Sequence, residues 1–208
     1  MALTIYGVAL SRANRNLWLA EELGLAYTHR ETDFRPTASD HSRTAAFLAI
    51  NPNGHVPAID DDGLVVWESM AINLYLARKH GGALAPATIG EEAQVLMWTF
   101  WAVTEVETDA LTLLLHREAP ATSKRRNAAA AKAIVRLQAP FAVLDAHLRD
   151  HGHVAGNRFT VADINLAAVF EWVGPVPALL DSHRNVADWL AGCRSRPAYR
   201  KVQGMVRA

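Results

Sequence analysis

Short strand-like runs of apolar residues alternate with helix-like ones over the first third of the chain, and helical spacing alone fills the remainder. Leu3 to Tyr6 predicts a strand, and Ser11 to Leu23 carries Leu17, Ala20 and Leu23 at helical intervals, with Gly24 as a fitting stop. Tyr27 to Glu31 predicts a second strand, Phe47 and Leu48 a short helix, and Asn51-Pro52-Asn53-Gly54 a turn. Pro57-Ala58-Ile59 and Leu64-Val65-Val66-Trp67 flank Asp60-Asp61-Asp62-Gly63, whose last two residues signal a hairpin, so these strands are expected as antiparallel neighbours. From Ser69 to the Gly81-Gly82 break, Met70, Leu74 and Ala77 form one helical stripe and Ile72 and Leu76 another. The predicted order is βαβαββα.

After Pro86 every apolar run reads as helix, which predicts a first domain over 1–80, a linker over 81–87 and an all-helical bundle domain over 88–208. Glu91 to about His116 is apolar nearly all round, through Val95, Leu96, Trp98, Phe100, Trp101, Val103 and Val106, which predicts burial on more than one side, one of them against a partner subunit. Thr122 to Leu148 places Ile134, Leu137, Phe141, Leu144 and Leu148 at alternating steps of three and four, the signature of a bundle helix. Thr160 with Asp163, bracketed by Phe159 and Ile164, forms a capping box and hydrophobic staple that open a further helix.

Composition narrows the function classes. With 208 residues, half hydrophobic and a fifth charged, the chain folds and buries a core. Lys and Arg number 21 and Asp and Glu 21, so the chain lacks the basic excess that general nucleic-acid or anionic-membrane binding requires. Lys124-Arg125-Arg126 is its one tight basic cluster. The opening residues carry no basic leader and their apolar stretch breaks at Ser11-Arg12, and no later stretch reaches the roughly 18 apolar residues of a membrane span, so a soluble, cytoplasmic protein is expected. Cys193 is the single cysteine, which excludes an internal disulfide and fits a reducing compartment. It falls on a stripe with Val186, Trp189 and Leu190 and is expected to be an inert core thiol. His151 and His153 have no accompanying ligand cluster, and no metal is expected.

The candidate chemistry concentrates in two places. Asn51 to Ile59 contains His55-Val56-Pro57: proline at the start of a strand cannot donate to the ladder, and a cis Val56-Pro57 bond would leave the Val56 backbone free to pair with an extended peptide ligand. Glu68-Ser69 then stands at a helix N-terminus, where unpaired N–H groups, the positive end of the dipole and the Ser69 hydroxyl favour a ligand carboxylate, and Glu68 can accept from a ligand ammonium. Together they suit the amino-acid end of a peptide. Taken singly, Pro57 is an ordinary turn residue and Ser69 an ordinary cap.

Over nearly its whole length the chain resembles the cytosolic glutathione transferases: Val56-Pro57 matches the family's proline motif, Glu68-Ser69 its Glu/Gln-Ser motif, and Thr160 with Asp163 its helical-domain capping box. The resemblance implies a thioredoxin-like domain followed by a helical domain, glutathione as co-substrate, a small hydrophobic electrophile as second substrate, and a homodimer. It implies that Val56 holds the cysteinyl part of glutathione and that Glu68 and Ser69 hold its γ-glutamyl end. Tyr6-Gly7-Val8-Ala9-Leu10-Ser11-Arg12 is similar to the serine-type members, phi-like or bacterial, so Ser11 is the expected thiolate stabiliser, a role compatible with its capping the first helix. Tyr6 is the rival, since tyrosine-type members place their phenol at this strand end, and Asn14 is a further possible donor to the sulfur. His55 and His41 are candidates for the glycyl carboxylate. Trp101 and His116 are the candidates for the electrophile pocket, and Glu105 or Asp109 for an acid reaching across the dimer. Conjugation is the expected reaction; glutathione-dependent peroxide or disulfide reduction, and a non-catalytic interaction module of the same fold, are the alternatives.

Overall fold

A computed structural model describes residues 2–117, 124–174 and 176–206, with Lys124 and Arg125 described by their backbone alone. The expected helix start at Thr122 lies outside the described residues, as do two side chains of the basic cluster. The chain forms two compact units, residues through Ala85 together with the segment from Ser195 onward, and Pro86–Arg194.

The first unit is built on a four-stranded sheet of order β2-β1-β3-β4, comprising β1 (Leu3–Tyr6), β2 (Tyr27–Arg30), β3 (Ala58–Asp61) and β4 (Leu64–Trp67). β1 runs parallel to β2, with Leu3 opposite Tyr27, and antiparallel to β3, with Ile5 opposite Ile59. The hairpin joining β3 to β4 turns at Asp62 and Gly63, which have φ +53° and +91°, the handedness that makes a two-residue Asp-Gly turn fit the twist of its strands. The connecting helices are α1 (Ala13–Glu22), α2 (Ala45–Leu48) and α3 (Ser69–His80), which reproduces the βαβαββα order of a thioredoxin-like domain. Leu17, Trp18, Leu19 and Ala20 of α1 are all fully buried, more than one helical face, because α1 packs on α3 on one side and on α10 (Pro197–Val206) on another.

That last contact corrects the expected division, which gave all of 88–208 to the helical domain. α10 belongs to the first unit: Tyr199 meets Trp18 edge-on with ring centroids 5.0 Å apart, Val202 is fully buried, Arg196 grips Glu22 through two hydrogen bonds of 2.6 and 2.7 Å, and Lys201 reaches Glu21 at 2.7 Å. The amphipathic pattern of α10 shows that one face must be covered but carries nothing about what covers it.

The second unit is helical, with α4 (Ile89–Trp101), α5 (Glu107–Arg117), α6 (Lys124–His151), α7 (Val161–Phe170), α8 (Pro177–Leu180) and α9 (Arg184–Ser195), the last residue of which falls to the first unit. Every residue of α7 is buried, so this helix is the centre of the unit. Phe170 gathers Phe141, Trp101 and Trp189 around it, at centroid distances of 4.9, 6.3 and 6.0 Å. The expected stripe of α6 is buried at Leu137, Phe141, Leu144 and Leu148, whereas Ala133 takes the place read as Ile134, which is half-buried. The long helix expected from Glu91 to His116 is interrupted by a π-helical turn, Ala102–Val106, which rotates the faces of α4 and α5 out of register. Within the single chain Val95, Trp98 and Val106 are buried, whereas Leu96, Met97, Phe100 and Val103 are exposed, Phe100 at 64%. No helix among the described residues is long and apolar enough to cross a membrane.

Candidate functional site

At the end of β1 the chain turns through Gly7 at φ +132°, a conformation that L side chains rarely adopt. A Cβ placed on Gly7 would lie 2.8 Å from the Ala13 Cβ, 3.1 Å from the Val56 Cβ and 3.5 Å from the Ser11 Oγ. The missing side chain is therefore what lets the Ser11 turn and the Val56 loop converge on one point at the C-terminal end of the central strand.

Ser11 is half-buried. Its hydroxyl donates to the Val8 carbonyl at 2.7 Å and accepts from the Ala13 N–H at 3.1 Å, so it satisfies one of the orphan donors of α1, although the residue formally preceding the helix is Arg12. Asn14 turns its amide back onto the Ala9 carbonyl at 3.4 Å. Tyr6 is half-buried and its ring stands edge-on to Phe47, with centroids 6.2 Å apart.

The Val56 loop is organised by Asn51, which is 2% exposed. Its Nδ2 donates to the His55 carbonyl at 2.7 Å, and its Oδ1 accepts from the backbone and side-chain nitrogens of Asn53, each at 3.1 Å. The Val56–Pro57 peptide is cis. Neither the N–H nor the C=O of Val56 is hydrogen-bonded to any described residue, which leaves an edge for an extended ligand. The His55 side chain is exposed. The half-buried His41 accepts the Arg43 N–H on its Nδ1 at 3.2 Å, so that nitrogen is spent on its own loop. Arg43, which the sequence reading passed over, donates to the Asn53 carbonyl at 3.2 Å and so ties that loop to the Val56 turn. In the same segment Arg35 clasps Asp33, and this hydrogen bond, opposed by burial, holds the Asp33 carboxyl below the usual carboxylate range.

Glu68 is exposed and has φ +73°, a left-handed backbone for a residue with a side chain, directly before α3. Ser69 is buried and held from α1: Arg15 Nη1 donates to its Oγ at 3.1 Å and Asn16 Nδ2 donates to its carbonyl at 2.7 Å. Asn73 completes the network, accepting from Asn16 at 2.7 Å and donating to the Arg15 carbonyl at 3.2 Å. Arg15, Asn16 and Asn73 carry no recognisable motif in the sequence. The signal that was available was Asn16 and Asn73, polar residues in register with the apolar spacing through Ala20 and through Met70 and Ala77.

In the second unit, Trp101 lies edge-on to Trp98 with centroids 5.1 Å apart and stacks on Phe170, so much of its ring is packing. His116 is half-buried, and its Nδ1 is buried without a hydrogen-bond partner among the described residues. Asp109 is engaged by Arg136, whereas Glu105 is exposed on the π-helical turn. The capping box is present as read, with Asp163 also accepting from the Val154 N–H at 3.1 Å and from Trp189 Nε1 at 2.9 Å. Cys193 is buried. Among the described residues no group of three or more His, Cys, Asp and Glu side chains is placed to hold a metal ion.

Comparison with known proteins adds to this geometry. The glutathione S-transferase N-terminal domain family matches residues 1–78, and the glutathione S-transferase C-terminal domain family matches residues 103–197. Glutathione S-transferase GstB of Escherichia coli (strain K12) is 33% identical over 161 residues, covering 76% of this chain and 77% of that protein. Elongation factor 1-gamma of Equus caballus is 31% identical over 176 residues, covering 80% of this chain; the chain spans 38% of that relative's length. Among solved structures, the theta class glutathione S-transferase of the citrus canker pathogen Xanthomonas axonopodis pv. citri, with glutathione bound, superposes with a TM-score of 0.83 at 33% identity, covering 96% of this chain and 95% of that one.

Proposed function

This chain is a member of the glutathione S-transferase family, and we propose that it binds glutathione in its first unit and conjugates the intact tripeptide, through its sulfur, to small hydrophobic electrophiles. The observation that carries the reading is the convergence of Ser11 and Val56 on Gly7, with hydrogen-bonding capacity left over at Val56 and Ser69. The residues fit the ligand group by group. The Val56 backbone pairs with the cysteinyl residue, Pro57 keeps that edge clear of the sheet, Ser69 donates to the γ-glutamyl carboxylate, and Glu68 accepts from its ammonium. His55 is the donor we assign to the glycyl carboxylate; His41, whose Nδ1 accepts from Arg43, keeps its Nε2–H as the second candidate donor.

Bound glutathione supplies the nucleophile, a thiolate that adds to the electrophile's carbon. Ser11 is assigned the serine-type role of raising the thiolate fraction. Its proton now rests on the Val8 carbonyl, so donation to the sulfur exchanges one neutral hydrogen bond for a charge-assisted one, a net gain of about 0.5–2 kcal/mol. The N-terminus of α1 adds about 0.3–1 kcal/mol, and together these lower the thiol pKa by roughly one to two units. Tyr6, packed edge-on against Phe47, is the weaker candidate, and Asn14 is turned toward Ala9. Trp101 and His116 remain our candidates for electrophile contact, His116 because its Nδ1 is buried and unpaired. We assign dimerisation with a second copy to the exposed apolar stripe of Leu96, Met97, Phe100 and Val103.

The test is substitution of Ser11 with a chlorodinitrobenzene-type electrophile as substrate. Ser11→Ala should keep glutathione binding within about threefold and lose about 10- to 100-fold in conjugation rate, as expected for removing one donor to a developing or resident anion. A wild-type rate in Ser11→Ala, with a loss in Tyr6→Phe, overturns the assignment in favour of Tyr6. The similarity to elongation factor 1-gamma supports a second reading, a non-catalytic interaction module. Failure of the wild-type chain to be retained on immobilised glutathione favours that module over the enzyme.

A further inference from the structure

Ser69 is 5% exposed, and its hydroxyl accepts from Arg15 Nη1 at 3.1 Å and donates to no described residue of the chain. A serine oxygen carries one proton and two lone pairs, and a guanidinium only donates. With Arg15 aimed at the oxygen, the Ser69 proton is turned away from Arg15 and its donor capacity is unspent. Arg15 is itself 2% exposed and sits in the first turns of α1, so this polarity is held by the packing of α1 on α3 rather than by a mobile surface side chain. The Ser69 main chain is fixed by the same helix, through Asn16 at 2.7 Å, and Asn16 is braced in turn by Asn73 at 2.7 Å. Ser69 also opens a twelve-residue helix whose first turn holds no acidic side chain, so its unpaired N–H groups and dipole favour an anion at the same point. Glu68, the adjacent acid, is exposed.

We propose that Arg15 is a positioning residue for the carboxylate subsite: by donating to Ser69 Oγ it commits that hydroxyl to donate to the γ-glutamyl carboxylate of the ligand, and its buried charge adds to the attraction. This rests on the glutathione reading above. The sequence reading assigned the subsite to Glu68 and Ser69 alone; the structure adds a third group from the opposite helix, 54 positions away in the chain.

The experiment compares two ligands by calorimetry on the full chain: glutathione, and 4-aminobutanoyl-cysteinylglycine, which is glutathione without its γ-glutamyl carboxylate. In the wild type the truncated ligand should bind about 10- to 100-fold more weakly, the range for losing a hydrogen-bonded charge. In Arg15→Gln and in Ser69→Ala that ratio should shrink to less than about threefold, with Arg15→Lys in between. If Arg15 only holds α1 on α3, both ligands weaken by the same factor and the ratio stays at its wild-type value, which overturns the proposal. If Arg15→Gln does not fold, Arg15→Lys and Ser69→Ala carry the same readout, and an unchanged ratio in both is equally decisive. A wild-type chain that binds neither ligand overturns the glutathione reading itself, a distinct outcome from binding with an unchanged ratio.

Discussion

Replacing Gly7 with alanine tests the convergence on which the site depends. At φ +132° a side chain meets unfavourable backbone contacts worth about 1–2 kcal/mol. The added Cβ also meets the Ala13 Cβ at 2.8 Å and the Val56 Cβ at 3.1 Å, and neither is the far end of a flexible side chain. Both are atoms rigidly attached to backbone, so relief requires the Ser11 turn and the Val56 loop to separate, an overpacking cost of about 1–3 kcal/mol. Restriction of the unfolded chain returns about 0.4–1 kcal/mol, leaving a net destabilisation of about 1–4.6 kcal/mol. Gly24 supplies a comparison: at φ +63° it lies in the left-handed helical region, which side chains tolerate better than φ +132°, and nothing lies within 4 Å of its Cβ position, so Gly24→Ala should cost about 1 kcal/mol or less. Urea denaturation of the three proteins measures the difference, and glutathione retention reports the geometry. Gly7→Ala should be the less stable variant and should bind glutathione more weakly even where it is fully folded. Equal stability of the two variants, with undiminished retention in Gly7→Ala, would refute the reasoning.

Asp163→Ala should destabilise the second unit by about 3–5 kcal/mol, because the buried Thr160 and Val154 N–H groups and Trp189 Nε1 all lose their acceptor; a cost below about 1 kcal/mol in urea denaturation would count against this account. Asp61 gives the first unit an acid limit. Burial raises its carboxyl pKa, but hydrogen bonds from Lys79 at 2.5 Å and Tyr75 at 2.8 Å outweigh that and leave it below the ordinary value of 3.8. A pKa lower in the folded than in the unfolded state contributes stability above the unfolded value that is lost as pH falls through the folded one. Wild-type stability should therefore drop on acidification below about pH 4 more steeply than that of Asp61→Asn, and parallel acid profiles would remove Asp61 from the explanation.

The residues that proved legible in the sequence are those whose partners lie close along the chain. Asp62-Gly63 announced its hairpin because turn chemistry is decided by two dihedral pairs, and Thr160 with Asp163 announced its capping box because both bonds close within three residues. Ser11, Val56, Glu68 and Ser69 could be singled out as candidates because each sits at a strand end or helix start that local patterning marks. Their relation to one another was not legible. That Ser11 and Val56 meet over Gly7, that Arg15 reaches Ser69, and that Asn16 and Asn73 brace the contact are facts about residues more than 40 positions apart. Apolar stripes left the covering partner open in two places for one reason. The helical spacing from Glu91 onward showed an apolar surface without showing which side the chain covers, and the π-helical turn at Ala102–Val106 shifts that surface partway along. The spacing of α10 likewise required a partner without naming α1. Alone, then, the sequence determined the elements of the first unit and their order, since these follow from dihedral preferences and short-range bonds. Only the tertiary structure decided which helices share a core and which hydroxyl proton is left for a ligand, because those depend on packing between segments that no local pattern connects.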